Sequence, residues 1–185
     1  MSTGLGTNAT GTTIVIAPLA TPLGTAHLYG TARGLFLVEM PDEIRDFAGP
    51  WLRREARGAT FIEDPTALPE ARAQLTAYFA GQLRDFDLAL DWRGTPFQLA
   101  VWKAVCAIPY GETSTYGEIA MFIGRPAASR AVGAANGANP LAPIVPCHRL
   151  IGSDGSLRGY GAGLNTKQWL LDLEQGMGGM TREER

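Results

Sequence analysis

The stretch Ile144-Val145-Pro146-Cys147-His148-Arg149 concentrates the reactive side chains of this 185-residue chain. A cysteine is a nucleophile only as its thiolate, and a nearby imidazole or guanidinium lowers the thiol pKa. Cys147 has both beside it in sequence. Adjacent residues on an extended strand point to opposite sides, so a contact with His148 requires a turn or a bridging water. Pro140, Pro143 and Pro146 stiffen the approach and hold the thiol in a fixed place. For a Cys-His dipeptide taken alone, the prior reading is a structural cysteine beside a surface His-Arg pair. The surrounding pattern has to decide.

The elements that position this stretch read as mostly helical. Thr95-Pro96 is an N-cap followed by proline at the first helical position. Phe97, Val101, Trp102, Val105 and Ile108 then form one apolar stripe, and Cys106 on the same helix reads as a packed core thiol. Pro109-Tyr110-Gly111 breaks that helix. Ser114 or Thr115 caps a short helix over Tyr116–Ile123, Gly124-Arg125-Pro126 turns, and a second helix follows over Ala127–Ala135. Two short helices around a three-residue turn fit a helix-turn-helix, although two packed core helices give the same pattern.

The second of these helices is nearly stripped of side chains. Ala127, Ala128, Ser129, Ala131, Gly133, Ala134 and Ala135 leave Arg130 as its one large polar residue. A helix reading base edges in the major groove carries several long polar side chains. A stripped helix lets backbone approach backbone, as in the narrow minor groove. Tight packing inside the protein explains it as well. Gly133 costs about 1 kcal/mol relative to alanine in a helix interior, so something requires its smallness.

The first half reads differently. Thr12–Ala17, Thr25–Tyr29 and Gly34–Glu39 are strand-like, with Gly and Pro between them. Residues 41–64 show no clean period and are expected to wrap loosely. Leu68, Ala71, Leu75, Tyr78 and Phe79 predict a helix over 66–80 that Gly81 ends. His27 reads as structural or exposed, and Arg53, Arg54 and Arg57 as a solvated basic face.

Composition bounds the rest. Hydrophobic residues make up 45%, which fits a globular protein. The 16 basic and 18 acidic residues give net −2. Residues 1–93 hold 8 basic against 11 acidic, and residues 94–185 hold 8 against 7. A generic nucleic-acid coat is thereby disfavoured, whereas a local DNA site is not. Two cysteines and two histidines make neither a disulfide framework nor an evident zinc site, so no metal is expected. No apolar run approaches the ~20 residues of a membrane span. Residues 1–11 lack the charge and apolar core of a secretory leader and read as a flexible tail, as do 176–185. The expected location is cytoplasmic.

The wider pattern settles how Cys147 is read. Tyr110-Gly111-Glu112, Thr115-Tyr116-Gly117-Glu118-Ile119-Ala120 and Ser129-Arg130-Ala131-Val132-Gly133 come first. Asn136-Gly137-Ala138-Asn139-Pro140, Pro146-Cys147-His148-Arg149, Gly159-Tyr160 and Trp169-Leu170-Leu171 with Glu174 follow. In order and spacing this set resembles the O6-alkylguanine-DNA alkyltransferases, the methylated-DNA–protein-cysteine methyltransferases, strongly over residues 94–175. The resemblance implies an α+β fold. A small α/β N-terminal domain with a short antiparallel sheet (12–93) would precede a helical C-terminal domain with a winged-helix-like helix-turn-helix (94–175).

The resemblance also implies roles. Cys147 would accept the alkyl group, His148 would take the thiol proton through a water, and Glu174 would orient the imidazole. Tyr116 would donate to a ring nitrogen of the leaving guanine, and Asn139 would tie the active-site turn. Arg130 would fill the gap left by a flipped base, and the carbonyls of Cys147 and Leu150 would accept from the guanine amine. Tyr160 would close over the base, with Gly161 and Arg149 among the substrate contacts. Gly161 stands where many relatives have serine, which implies a looser loop.

The implied activity is irreversible, single-turnover transfer from O6-methylguanine, and from O4-methylthymine by the same resemblance, with no cofactor and no metal. The implied partner is alkylated double-stranded DNA, bound through the minor groove by a monomer, with no membrane. Cooperative binding along DNA is left open. A non-catalytic damage sensor and a cysteine hydrolase using Cys147 and His148 are the rival readings.

Overall fold

A computed structural model describes residues 11–41 and 48–177. The expected tails over 1–10 and 178–185 lie outside the described residues. The first half builds a four-stranded sheet in the order β3-β2-β1-β4, from β1 (Thr13–Thr21), β2 (Gly24–Thr31), β3 (Gly34–Glu39) and β4 (Thr60–Glu63). The first three strands form an antiparallel meander, and β4 pairs with β1 in parallel at the edge.

Both faces of this sheet are covered, which explains the unbroken Leu-Phe-Leu-Val run of β3. Leu28, Leu35 and Val38 join a core that includes Leu75 and Tyr78 of α2 (Pro69–Phe79). Tyr29, Phe36 and Leu37 pack with Ala48 and Trp51 of α1 (Ala48–Glu55), where the Phe36 and Trp51 rings lie 5.3 Å apart. Residues 41–64 therefore do not simply wrap: they contain α1 and β4. Neither carries a readable period. Helix α1 spans two turns with only Ala48 and Trp51 buried, and β4 is exposed along its length.

In the second half, α3 (Pro96–Cys106) starts on a reciprocal capping box between Thr95 and Gln98. Such a box satisfies two helix-end donors at once. Thr115, not Ser114, caps α4 (Tyr116–Phe122) through the same device with Glu118. A 3-10 turn over Pro126–Ala128 leads into α5 (Ser129–Asn136). Trp102 Nε1 of α3 donates to the Ala135 carbonyl at 2.8 Å and fixes α5 in place. Cys106 corrects an expectation, because it is exposed and not packed in the core. It shares a face with Trp102 by helical spacing, but it is the last residue of α3, where that face is no longer covered.

The chain then runs through a second 3-10 turn (Cys147–Arg149) and β6 (Leu150–Ile151), and ends in α6 (Leu164–Glu174). Strand β6 pairs in parallel with β5 (Ser114–Thr115). The architecture is α+β, with the sheet in the first half and the helices gathered in the second. One hydrophobic core runs from Leu28, Leu75 and Tyr78 to Trp102, Val132 and Leu170. The Val38 N–H donates to the Pro140 carbonyl at 2.8 Å across the same junction. No helix among the described residues is long and apolar enough to cross a membrane.

Candidate active site

The turn that a Cys147–His148 contact needs is present: Cys147, His148 and Arg149 form one 3-10 turn, and all three are buried. Asn139 sets its approach. Its Nδ2 donates to the Val145 carbonyl at 2.8 Å, while its Oδ1 accepts from the Leu141 N–H at 2.9 Å. Asn136 Nδ2 donates to the Cys147 carbonyl at 3.2 Å. Among the described residues, no group of three or more His, Cys, Asp or Glu side chains is arranged to hold a metal ion.

Behind the turn lies Glu174, fully sequestered and surrounded by donors. Its Oε1 accepts from Tyr78 Oη at 2.7 Å and Arg149 Nη2 at 2.9 Å, and lies 2.8 Å from His148 Nε2. Its Oε2 accepts from Arg149 Nε at 2.8 Å and the Gly111 N–H at 3.1 Å. Gly111 has φ +79°, and a Cβ there would stand 3.1 Å from the Glu174 carbonyl oxygen, so only glycine delivers this donor. Burial raises the carboxyl pKa, but the hydrogen bonds from His148, Arg149 and Tyr78 outweigh it and hold Glu174 well below the carboxylate range.

An ionised Glu174 sets the histidine tautomer. His148 Nε2 faces the carboxylate and carries the proton, which leaves Nδ1 as the basic nitrogen. That Nδ1 is buried and has no hydrogen-bond partner. Burial lowers the His148 pKa more than Glu174 raises it, so the imidazole is neutral near pH 7. The Cys147 thiol is pushed up to about 11, chiefly by burial, with Asn139 and Lys167 opposing. The site thus rests as a protonated thiol beside a neutral base.

Both buried groups make the fold acid-labile. His148 is held neutral, so its contribution is complete above the ordinary value of 6.5 and is lost as pH falls below it. Glu174 is held ionised, so its contribution is complete above 4.5 and is lost on further acidification. Urea unfolding between about pH 8 and pH 4 should show stability declining from near 6.5 and steeply below 4.5. A flat profile would contradict the shifted protonation of these two groups.

A cavity of about 1020 Å³ opens at the surface between α4, α5 and the segment that follows β6. Helix α5 and the residue after it wall one side with Ser129, Arg130, Gly133, Ala134 and Gly137, whose spacing is one helix face. The opposite face of α5 buries Val132, Ala135 and Asn136. Tyr116 and the segment Arg158-Gly159-Tyr160-Gly161 close the cavity. Tyr116 Oη donates to the Arg158 carbonyl at 3.1 Å, and burial keeps this hydroxyl protonated. Packing does not require the smallness of Gly133: a Cβ there would lie 3.7 Å from the Tyr116 ring, an ordinary contact. The bare face is turned to the cavity.

The structure gathers the expected residues unevenly. Arg130, Tyr116, Tyr160 and Gly161 line the cavity, while Cys147, His148, Asn139 and Leu150 are buried and are not among its lining residues. Arg149, expected among the substrate contacts, is instead committed to Glu174 and the Ile108 carbonyl, 2.6 Å from Nη1. Arg54, expected on a solvated face, lines the cavity with Pro50 and Trp51 of α1.

Two residues escaped sequence reasoning. Lys167 is fully buried and donates to the carbonyls of Leu150 and Arg158, and burial lowers its pKa to about 8. It stands on one face of α6 with Leu171 and Glu174 at helical spacing, a signal available in the sequence. Tyr78 lies 96 positions from Glu174, and nothing in the sequence pairs them.

The fold and site define a two-part protein with a buried thiol on the turn that carries a buried His–Glu pair, and a cavity walled by the two helices around the Pro126–Ala128 turn. Known proteins match the chain over nearly all of its described length. The profile for the 6-O-methylguanine DNA methyltransferase DNA binding domain matches residues 96–176, and that for the ribonuclease-like domain of the same family matches 14–92. A methylated-DNA–protein-cysteine methyltransferase of Methanosarcina barkeri is 50% identical over 157 residues, covering 85% of this chain and 94% of that protein. An inducible one of Bacillus subtilis is 44% identical, covering 80% and 83%. The crystal structure of Mycobacterium tuberculosis OGT in complex with DNA superposes with a TM-score of 0.77 at 48% identity, covering 88% of this chain and 93% of that one. The chain belongs to the 6-O-methylguanine DNA methyltransferase family and is a methyltransferase enzyme of that class.

Proposed function

We propose that this protein repairs duplex DNA by moving the alkyl group of O6-methylguanine onto Cys147, once per chain. The observation that carries the reading is the arrangement at Glu174. His148 is held by Nε2, so its one free ring nitrogen is the base that serves the neighbouring thiol. This is the nucleophile, base and orienter arrangement. The Cys147 proton passes to Nδ1 through a water, and Sγ attacks the alkyl carbon. The S–C bond forms as the C–O bond breaks, and the electron pair enters the guanine ring. Tyr116, held protonated, donates to the ring nitrogen that gains charge, exchanging the Arg158 carbonyl for the base. Arg149 acts behind the site, holding Glu174.

A stacked base cannot reach a buried thiol, so the lesion must be extruded into the cavity. The bare face of α5 suits close approach to the minor groove, with Arg130 entering the stack. Arg54 adds a cationic group on the opposite wall. The same chemistry extends to O4-methylthymine, and the division of labour falls between residues 12–93 and 94–175. A monomer in the cytoplasm suffices for it.

Two experiments bear on this reading. In single-turnover reactions with lesion-bearing duplex, Cys147→Ala should bind the DNA and leave the lesion intact. Lesion removal by that variant would exclude the assignment. Gly133→Ala should gain about 0.5–1 kcal/mol in urea unfolding, because a Cβ fits there and alanine favours the helix. It should also weaken duplex binding severalfold, because the methyl projects into the DNA side. Unchanged affinity would free α5 from that role.

A further inference from the structure

We propose that Tyr78 is a positioning residue for the proton transfer: its hydroxyl, carried in by the N-terminal half, joins Glu174 in holding the histidine tautomer that leaves His148 Nδ1 free to act. The proposal rests on alkyl transfer to Cys147 for its consequence, although the tautomer can be read without it.

Of the donors around Glu174 among the described residues, Gly111, His148 and Arg149 come from the C-terminal half, and Tyr78 alone comes from the N-terminal half. Tyr78 is fully buried on α2. Its ring is held by Phe79 at 5.5 Å, Phe86 at 5.1 Å and Tyr110 at 6.3 Å, so the hydroxyl has a defined position. That hydroxyl donates to Glu174 Oε1 at 2.7 Å and sits 3.4 Å from His148 Nε2.

Counting protons shows what this geometry enforces. A phenol has one proton to give and lone pairs to offer. With the proton directed to Oε1, the Tyr78 oxygen presents lone pairs to Nε2. A bare Nε2 would then face two acceptors, the carboxylate and the phenol oxygen, with no proton between them. A protonated Nε2 meets both favourably. The other tautomer is therefore penalised twice, and Nδ1 stays unprotonated. Burial, reinforced by Glu174, pushes the Tyr78 pKa well above 10, so its proton stays in place throughout the working pH range. The hydroxyl also restrains rotation of the carboxylate about its last bond, a torsion that is otherwise broad.

The N-terminal half thus has a part in the chemistry. Loss of the hydroxyl should leave Glu174 alone to favour the tautomer and so loosen it, without removing any atom of the reacting set.

The test uses the full-length chain labelled with 15N. Long-range 1H–15N spectra read the His148 tautomer directly, with the half-buried His27 as the second histidine. The wild type is expected to show Nε2–H alone. Tyr78→Phe, which keeps the ring contacts, is expected to add a measurable Nδ1–H population and to slow transfer from duplex O6-methylguanine about two- to threefold, in step with the tautomer lost, at unchanged duplex affinity. Tyr110→Phe, which removes a neighbouring hydroxyl not bonded to Glu174, should leave the tautomer unaltered. If the phenylalanine variant folds poorly, 4-fluorophenylalanine at position 78 fills the hydroxyl's place without a proton and should show the same added Nδ1–H population. An unchanged tautomer and rate in Tyr78→Phe overturns the proposal. A wild type with the expected tautomer but no transfer would remove the alkyl-transfer reading and leave tautomer control by Tyr78 standing.

Discussion

Glu174→Ala is expected to lower stability by about 3–5 kcal/mol and to take alkyl transfer with it. The carboxylate accepts from Tyr78, Arg149 and the Gly111 N–H and pairs with His148, and its side chain is wholly inaccessible. Removing it strands a guanidinium in the interior, where Arg149 keeps the Ile108 carbonyl and the face of the Tyr110 ring. A buried charge left without its partner is among the most costly changes a fold meets. Glu174→Gln keeps the volume but turns one acceptor oxygen into a donor that faces other donors. It should be milder in stability, and it should slow transfer more than it weakens lesion binding. Urea titration together with single-turnover kinetics separates these effects. A Glu174→Ala protein within about 0.5 kcal/mol of wild type would mean that the carboxylate does not organise the site.

Arg130→Ala is expected to slow transfer from duplex DNA by about 30- to 100-fold while leaving reaction with the free base O6-methylguanine unchanged. Extruding a nucleotide costs a few kcal/mol of stacking and pairing. A side chain that fills the gap offsets part of it, and about 2–3 kcal/mol corresponds to that loss of rate. Arg130 is the one long side chain on the bare face of α5, and it is exposed at the cavity. The free base needs no extrusion, so it reports on the chemistry alone. Equal losses on both substrates would show that Arg130 acts at the reacting centre or on the fold.

The site was legible in the sequence where its parts are local. Cys147, His148 and Arg149 share one turn, and the capped helix α4 announces itself by Thr115 and Glu118 three residues apart. Helix α5 was readable because a face without side chains is a compositional fact. Arg149 was misplaced for a physical reason: its position beside the nucleophile is sequential, but its direction depends on a carboxylate 25 residues away. Tyr78 was invisible for a stronger version of the same reason.

In the fold, the strands β1 to β3 and the helix α2 follow from their own residues, although α2 begins only at Pro69, after Leu68 in the left-handed region. The elements α1 and β4 do not, since a two-turn helix and an exposed edge strand are defined by what they pair with. With α1 went the placement of Arg54, which only tertiary packing brings to the cavity.

The central claim is that Cys147 becomes the permanent acceptor, and intact-protein mass after mixing with duplex DNA carrying O6-methylguanine tests it most directly. The expected result is a gain of one methyl group per chain, mapped to Cys147 and absent from Cys147→Ala. Tight binding with an unchanged mass would contradict it and make the protein a sensor of the lesion.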